Sequence, residues 1–231
     1  MDAVVIPGRF NGPPQSANGG YAAGVVARLL GGGAAEVRLR VPPALDRPLG
    51  WDGSRLLDGD TVVASGVPDA GPPVELPVSD PVSVGEAEEA SGRFPGHTHH
   101  PYPMCFGCGD RRAPGDGLRL FPGPVAGRTV VASPWVPDGS LLVGGEIPLE
   151  VMWAALDCSG GWAGLPHHEG TFVLGTMRGE VTAPARVGEP HVTIGWQSGV
   201  DGRKLRCGSA LTTADGTVLG WSDQTWIRLA D

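Results

Sequence analysis

Residues 148–164 read PLEVMWAALDCSGGWAG, and the fold follows from how they are read. Pro148 suits the first turn of a helix, where its missing N–H leaves no bond unmade. Gly160-Gly161 weakens the far end. The spacing therefore predicts a helix over 148–162. That helix is apolar nearly all round, which is the pattern of a buried one. At 100° per residue, Glu150, Trp153, Ala154, Asp157 and Gly161 share a stripe. An ionised carboxylate in such a setting needs a partner or a water-filled pocket. Asp157 is thus the leading candidate for chemistry. The plainer alternatives are a local turn cap at Gly160-Gly161 and a pairing with an arginine.

Working outward, the C-terminal side holds long runs that read as strands over 171–181, 191–198, 204–213 and 217–229. Asp201-Gly202 and Asp215-Gly216 mark the two hairpins among the last three. On the N-terminal side of the helix, 118–121 and 128–135 read as strands.

The first third shows a shorter version of the same order. Residues 4–10 form a short apolar run that ends at the turn-rich Asn11-Gly12-Pro13-Pro14. Asn18 can cap a helix that Ala and Leu propagate, and Gly31-Gly32-Gly33 stops it. Residues 36–41 alternate as a half-buried strand does. Shorter strands are expected at 48–51, 55–57 and 61–65, with Asp58-Gly59 as a hairpin turn. From 68 to 103 prolines are dense and apolar periodicity is lost, apart from a short helix near 84–94. This stretch reads as a linker lying over the surface. Each half thus runs strand, one central helix, then antiparallel strands, an order that argues for internal duplication.

Composition sets the outer limits. The chain has 231 residues, 41% of them hydrophobic, enough for a packed core in one or two domains. The 38 Gly and 23 Pro favour turns and short strands over a helical bundle. A net charge of −8 without any basic run speaks against a nucleic-acid partner. No apolar stretch approaches the length of a membrane span, and the first residues, MDAVVIPGRF, lack the pattern of a signal peptide. Four cysteines fit a reducing cytoplasm better than a disulfide scaffold.

Three stretches carry a resemblance to the thioesterase-like hotdog superfamily, in which a curved antiparallel sheet wraps one apolar helix. CFGCGDRRAPGDGLRLF at 105–121 resembles the opening motif of phenylacetic-acid-type thioesterase relatives. The segment 148–164 resembles the central helix with its acid. The segment 176–229 resembles the closing meander. The first third resembles a shortened half of the same kind, and the whole chain looks like a double hotdog of the acyl-CoA thioesterase II type. The resemblance implies an α+β fold: a shortened half at 1–67, a linker at 68–103 and a C-terminal hotdog domain at 104–231, with two curved antiparallel sheets each around its own helix.

It also implies a chemistry: hydrolysis of an acyl thioester such as an acyl-CoA, with Asp157 activating water. In the acyl-CoA thioesterase II family an Asp, a hydroxyl residue and a Gln surround one water. The positions here are Asp157, Ser198 and Gln224, the last two equally readable as outer-face polar residues. Gly144 and Gly145, before the helix, would bring backbone N–H groups to the thioester carbonyl. Trp153, Ala154 and Gly161 would line the acyl channel, the small pair leaving space for a thin chain. The first central helix has no acid, so at most one ordinary site per chain is expected. The rival reading is a non-catalytic acyl or small-ligand binder, and a third is a structural subunit pairing through strand edges. The chain would stand as a monomer or pair into a homodimer.

His97, His99, His100, Cys105 and Cys108 lie close in sequence, and Cys-x-x-Cys with His is a zinc pattern. A second clear pair is missing, so a packing loop is expected, with no metal and no organic cofactor required. Cys158 and Cys207 read as small buried hydrophobes. Trp153, Trp162, Trp196, Trp221 and Trp226 read as core or as the lining of an apolar or aromatic acyl pocket, and His167-His168-Glu169 as a solvated loop or the pocket mouth. Arg203, Lys204 and Arg206 sit at a hairpin, where they would either meet coenzyme A phosphates or stand exposed.

Overall fold

The computed structural model describes residues 2–69, 71–78 and 80–230. Met1, Ala70, Ser79 and Asp231 lie outside them. The N-terminal third supplies β1 (Asp2–Val5), α1 (Gly19–Leu29), β2 (Ala35–Leu39), β3 (Pro48–Trp51), β4 (Arg55–Asp58) and β5 (Thr61–Pro68). The middle supplies α2 (Val84–Ser91), β6 (Gly123–Pro124) and β7 (Val131–Trp135). The remainder holds α3 (Leu149–Gly164), β8 (Phe172–Val181), β9 (His191–Asp201), β10 (Lys204–Thr213) and β11 (Val218–Arg228).

Local chemistry explains the helix limits. Asn18 caps α1 by accepting the Tyr21 N–H on its side chain at 2.8 Å. Ser83 and Glu86 form a reciprocal capping box on α2, satisfying two N–H groups that would otherwise be orphaned. The long hairpins turn at Gly202 and Gly216, both at positive φ, where glycine pays no Cβ penalty.

Two sheets were expected; the strands form one. Its order is β1-β3-β4-β5-β2-β8-β11-β10-β9-β7-β6. The join is β2 against β8, with Val37 opposite Met177. Left separate, both strands would present unpaired edges, and pairing them satisfies those backbone groups. On one side of the join lie only strands from before residue 69, and on the other only strands from after residue 122.

The expected strand at 118–121 is also absent. Leu118 and Leu120 instead donate their N–H groups to Phe106 O at 2.8 Å and Gly107 O at 2.9 Å. This run therefore clamps the 105–107 loop instead of joining the sheet, and β6 is the short Gly123–Pro124 pair.

Both α1 and α3 pack on the sheet and against each other. Residues Glu150–Gly164 of α3 are all buried. Close approach depends on glycine. A Cβ on Gly195 of β9 would sit 1.9 Å from Ser159 O. The proline-rich segment also builds core. Val82, Ala87 and Ala90 join Ala132, Ile194, Trp196 and Ala210 in a second buried cluster. As a result the first six residues of β9 are buried on both faces.

Candidate functional site

A cavity of about 790 Å³ opens where the loop before α1, the end of β2, the 100–108 loop, α3, β8 and β11 converge. That is an ordinary volume for a small-molecule site. Leu39, Val41, Leu165, Phe172, Leu174 and Trp226 give it apolar walls, and Asp157 contributes a carboxylate.

Asp157 is 2% exposed. Its Oδ2 accepts the Asn18 Nδ2–H and the Gly20 N–H, both at 2.9 Å. Its Oδ1 is buried and has no hydrogen-bond partner among the described residues. The two donors come from the cap and first turn of α1, so the carboxylate of one central helix sits at the positive end of the other. Burial pushes the Asp157 carboxyl up to about 7, against the opposing pull of the Gly20 N–H. Gly19 lines the same cavity. As the first residue of α1 it has no intrahelical acceptor for its N–H, and no other acceptor meets that group among the described residues.

The same architecture exists among solved structures. A tesB protein of Mycobacterium avium subsp. paratuberculosis superposes with a TM-score of 0.56, over 94% of this chain and 89% of the other, at 9% identity. A thioesterase II candidate from Thermobifida fusca YX superposes at 0.59, over 99% and 96%, at 13% identity. The chain shares the hotdog fold of these structures. At these identities the likeness concerns the hotdog fold alone. No protein-family model matches the chain, and no curated protein does.

Within the hotdog fold, the residues expected to surround Asp157 are dispersed. Gln224 is 1% exposed and fully engaged elsewhere. Its Nε2 donates to Leu156 O at 2.9 Å and Ser222 Oγ at 2.8 Å, while its Oε1 accepts the Trp226 indole N–H at 2.7 Å. Ser198 is exposed on β9. Neither lines the cavity. Gly144 and Gly145 stand exposed in a turn at positive φ before the α3 start, and neither lines the cavity.

The expected channel residues serve packing. Trp153 is completely buried against Gly24 of α1. Ala154 Cα lies 3.1 Å from where a Cβ on Gly20 would sit, and Gly161 lies under the Trp226 ring. These corrections share a cause. A helix buried on every side has no single pocket-facing stripe, and periodicity cannot say which buried face meets a helix, the sheet or a cavity. Arg203, Lys204 and Arg206 are exposed and do not line the cavity, whereas Arg40 lies on its lining.

Residues unassigned by sequence reading complete the site. Asn18 was legible only as a cap, and Gly20 only as a helix residue. Cys158, read as filler, reaches Cys105 at 3.8 Å between sulfurs. His100 and Trp162 stand on the same wall. The Cys-x-x-Cys spacing and the His100 nearby were the only local signals for that wall. Among the described residues, no helix is long and apolar enough to cross a membrane.

Proposed function

We propose that the cavity binds an acyl thioester, of the acyl-CoA class, and that Asp157 activates water to hydrolyse it. The observation that carries this reading is the asymmetry of the carboxylate. Oδ2 is held by Asn18 and Gly20, and Oδ1 is buried without a partner among the described residues, in a residue that lines an apolar cavity. A fixed carboxylate with one free oxygen is the form a general base takes.

Water bound at Oδ1 would attack the thioester carbonyl carbon and pass a proton to Asp157. The tetrahedral intermediate would collapse with loss of the thiolate, which takes that proton. The Gly19 N–H, in the first turn of α1, is the donor for the developing oxyanion. This replaces the role expected of Gly144 and Gly145. The apolar walls suit the acyl chain, and Arg40 suits an anionic portion of the thiol carrier.

The partition of the sheet at β2–β8 supports reading the chain as two hotdog halves, one per central helix. Asn18 and Gly20 belong to the first half and Asp157 to the second. On that reading one chain completes the site, and a homodimer is not needed for it.

Non-catalytic binding is the rival, favoured by one observation: Ser198 and Gln224 stand apart from Asp157, so the three-residue arrangement around one water is not assembled. A panel of acyl-CoA thioesters with the native protein and Asp157→Asn separates the two. The amide retains an oxygen for the Asn18 and Gly20 donors, so folding is preserved. Hydrolysis predicts a kcat/KM loss of about 10²-fold or more, mostly in kcat. Equal turnover in both proteins rejects Asp157 as the base. Saturable binding without native turnover replaces the hydrolase by the binder.

A further inference from the structure

The proposed hydrolysis makes no use of the thiols in the same wall. Cys105 and Cys108 come from the 103–109 loop and Cys158 from α3, and their three sulfurs lie within 4.8 Å of one another. All three residues are buried, and all three line the cavity.

We propose that Cys105, Cys108 and Cys158 bind one thiophilic divalent cation of the zinc class, with its fourth coordination position turned to the cavity.

Geometry is the first argument. Tetrahedral zinc with Zn–S bonds of about 2.3 Å places neighbouring sulfurs about 3.8 Å apart. The Cys105 and Cys158 sulfurs are 3.8 Å apart.

The surroundings are the second. Asn18 Nδ2 lies 3.7 Å from Cys105 Sγ and 4.0 Å from Cys158 Sγ. One side-chain N–H donor thus faces two of the three sulfurs. No Lys or Arg among the described residues pairs with these sulfurs. Ionising these buried thiols would need a counter-charge, and a bound dication supplies it.

The loop is the third. A Cβ on Gly107 would meet Cys158 Sγ at 2.6 Å, and one on Gly109 would meet Cys105 O at 2.5 Å. Glycine at both positions lets the Cys-x-x-Cys loop close over the third sulfur. His100 fastens its other side by hydrogen bonding through Nε2 with Cys108 O at 3.1 Å.

Charge decides the role. Three thiolates and one dication sum to −1, which makes a weak Lewis acid. The ion therefore fixes the loop onto α3 beside Asp157, and its fourth position takes water or a thiol from the cavity. This holds whether or not the cavity hydrolyses a thioester.

The test is metal content and cobalt spectroscopy. Native protein, reduced and purified without chelator or histidine tag, is expected to carry about one equivalent of zinc. After exchange with Co(II) it should show thiolate-to-cobalt charge transfer with tetrahedral d–d bands. Cys105→Ser, Cys108→Ser and Cys158→Ser should each lower Co(II) affinity at least tenfold, and Cys207→Ser should not. Reduced native protein that takes up no Co(II), or bands unchanged in Cys158→Ser, would overturn the proposal. Should a variant fail to fold, the charge-transfer intensity per cobalt of the native protein counts the thiolates. Three support the site and two or fewer refute it. A Cys105–Cys158 disulfide that, once reduced, leaves a protein unable to bind metal also refutes it.

Discussion

The Asp157 carboxylate on α3 takes the Gly20 N–H of α1 at 2.9 Å, and this contact exists because position 20 has no side chain. A Cβ there would fall 2.4 Å from Asp157 Cβ and 2.6 Å from Trp153 O. One turn on, a Cβ at Gly24 would meet Glu150 Cα at 2.6 Å. Glycine at 20 and 24 therefore sets how closely the two central helices approach. The Arg28–Glu150 ion pair ties them further along the same interface.

Gly20→Ala should accordingly destabilise the protein, even though alanine is the better helix former. Forcing the helices apart costs about 1–3 kcal/mol, and the propensity gain returns only about 1 kcal/mol. Gly85→Ala, on α2 with nothing within 4 Å of the new methyl, should be neutral or stabilising. Urea unfolding of the two variants reads the difference directly. Equal stabilities would mean that α1 and α3 are not held at this distance.

Gln224 offers a contrast between structural and catalytic roles. Its amide satisfies Leu156 O, Ser222 Oγ and the Trp226 indole at once. Removal leaves buried polar groups unpaired at about 1–3 kcal/mol. Gln224→Ala should therefore lower the unfolding midpoint clearly. Whatever turnover the native protein has should stay within about threefold per folded molecule, since this is a stability effect by a named mechanism. A kcat collapse in a well-folded variant would return Gln224 to the catalytic group.

His191 should set part of the acid limit of stability. It is 1% exposed. The Arg186 N–H can only donate, so it reaches Nε2 as acceptor at 3.4 Å, and Nδ1 donates to Glu189 O at 2.8 Å. Both contacts fit the neutral ring. Burial holds its pKa below the usual 6.5, with the Glu189 carbonyl and charge opposing. Because the folded value is depressed, the stability attached to the neutral ring is whole above about pH 6.5. It is lost as pH falls through the lower folded value. In His191→Gln the stability–pH curve below 6.5 should be flatter than in the native protein. Parallel curves would assign the acid limb to other groups.

Much of the fold was legible because its signals are local. The capping side chain of Asn18, the apolar run around Asp157, and the Asp-Gly turns at 201–202 and 215–216 each act within a few residues. They located α1, α3 and the β9–β11 meander to within a few positions. The strand expected at 118–121 failed for a reason that is not local: its N–H groups were taken by Phe106 and Gly107.

Sequence alone therefore determined that a buried helix carries a carboxylate amid apolar residues and that antiparallel strands follow it, since periodicity and turn chemistry are properties of neighbouring residues. Tertiary structure decided what that carboxylate meets. Asn18 and Gly20 are 139 and 137 residues away in the chain, and Cys105 is 53 residues from Cys158. Only the pairing of β2 with β8 and the glycine contact of α1 with α3 bring such groups together. No local pattern encodes which of several buried faces will open on a cavity.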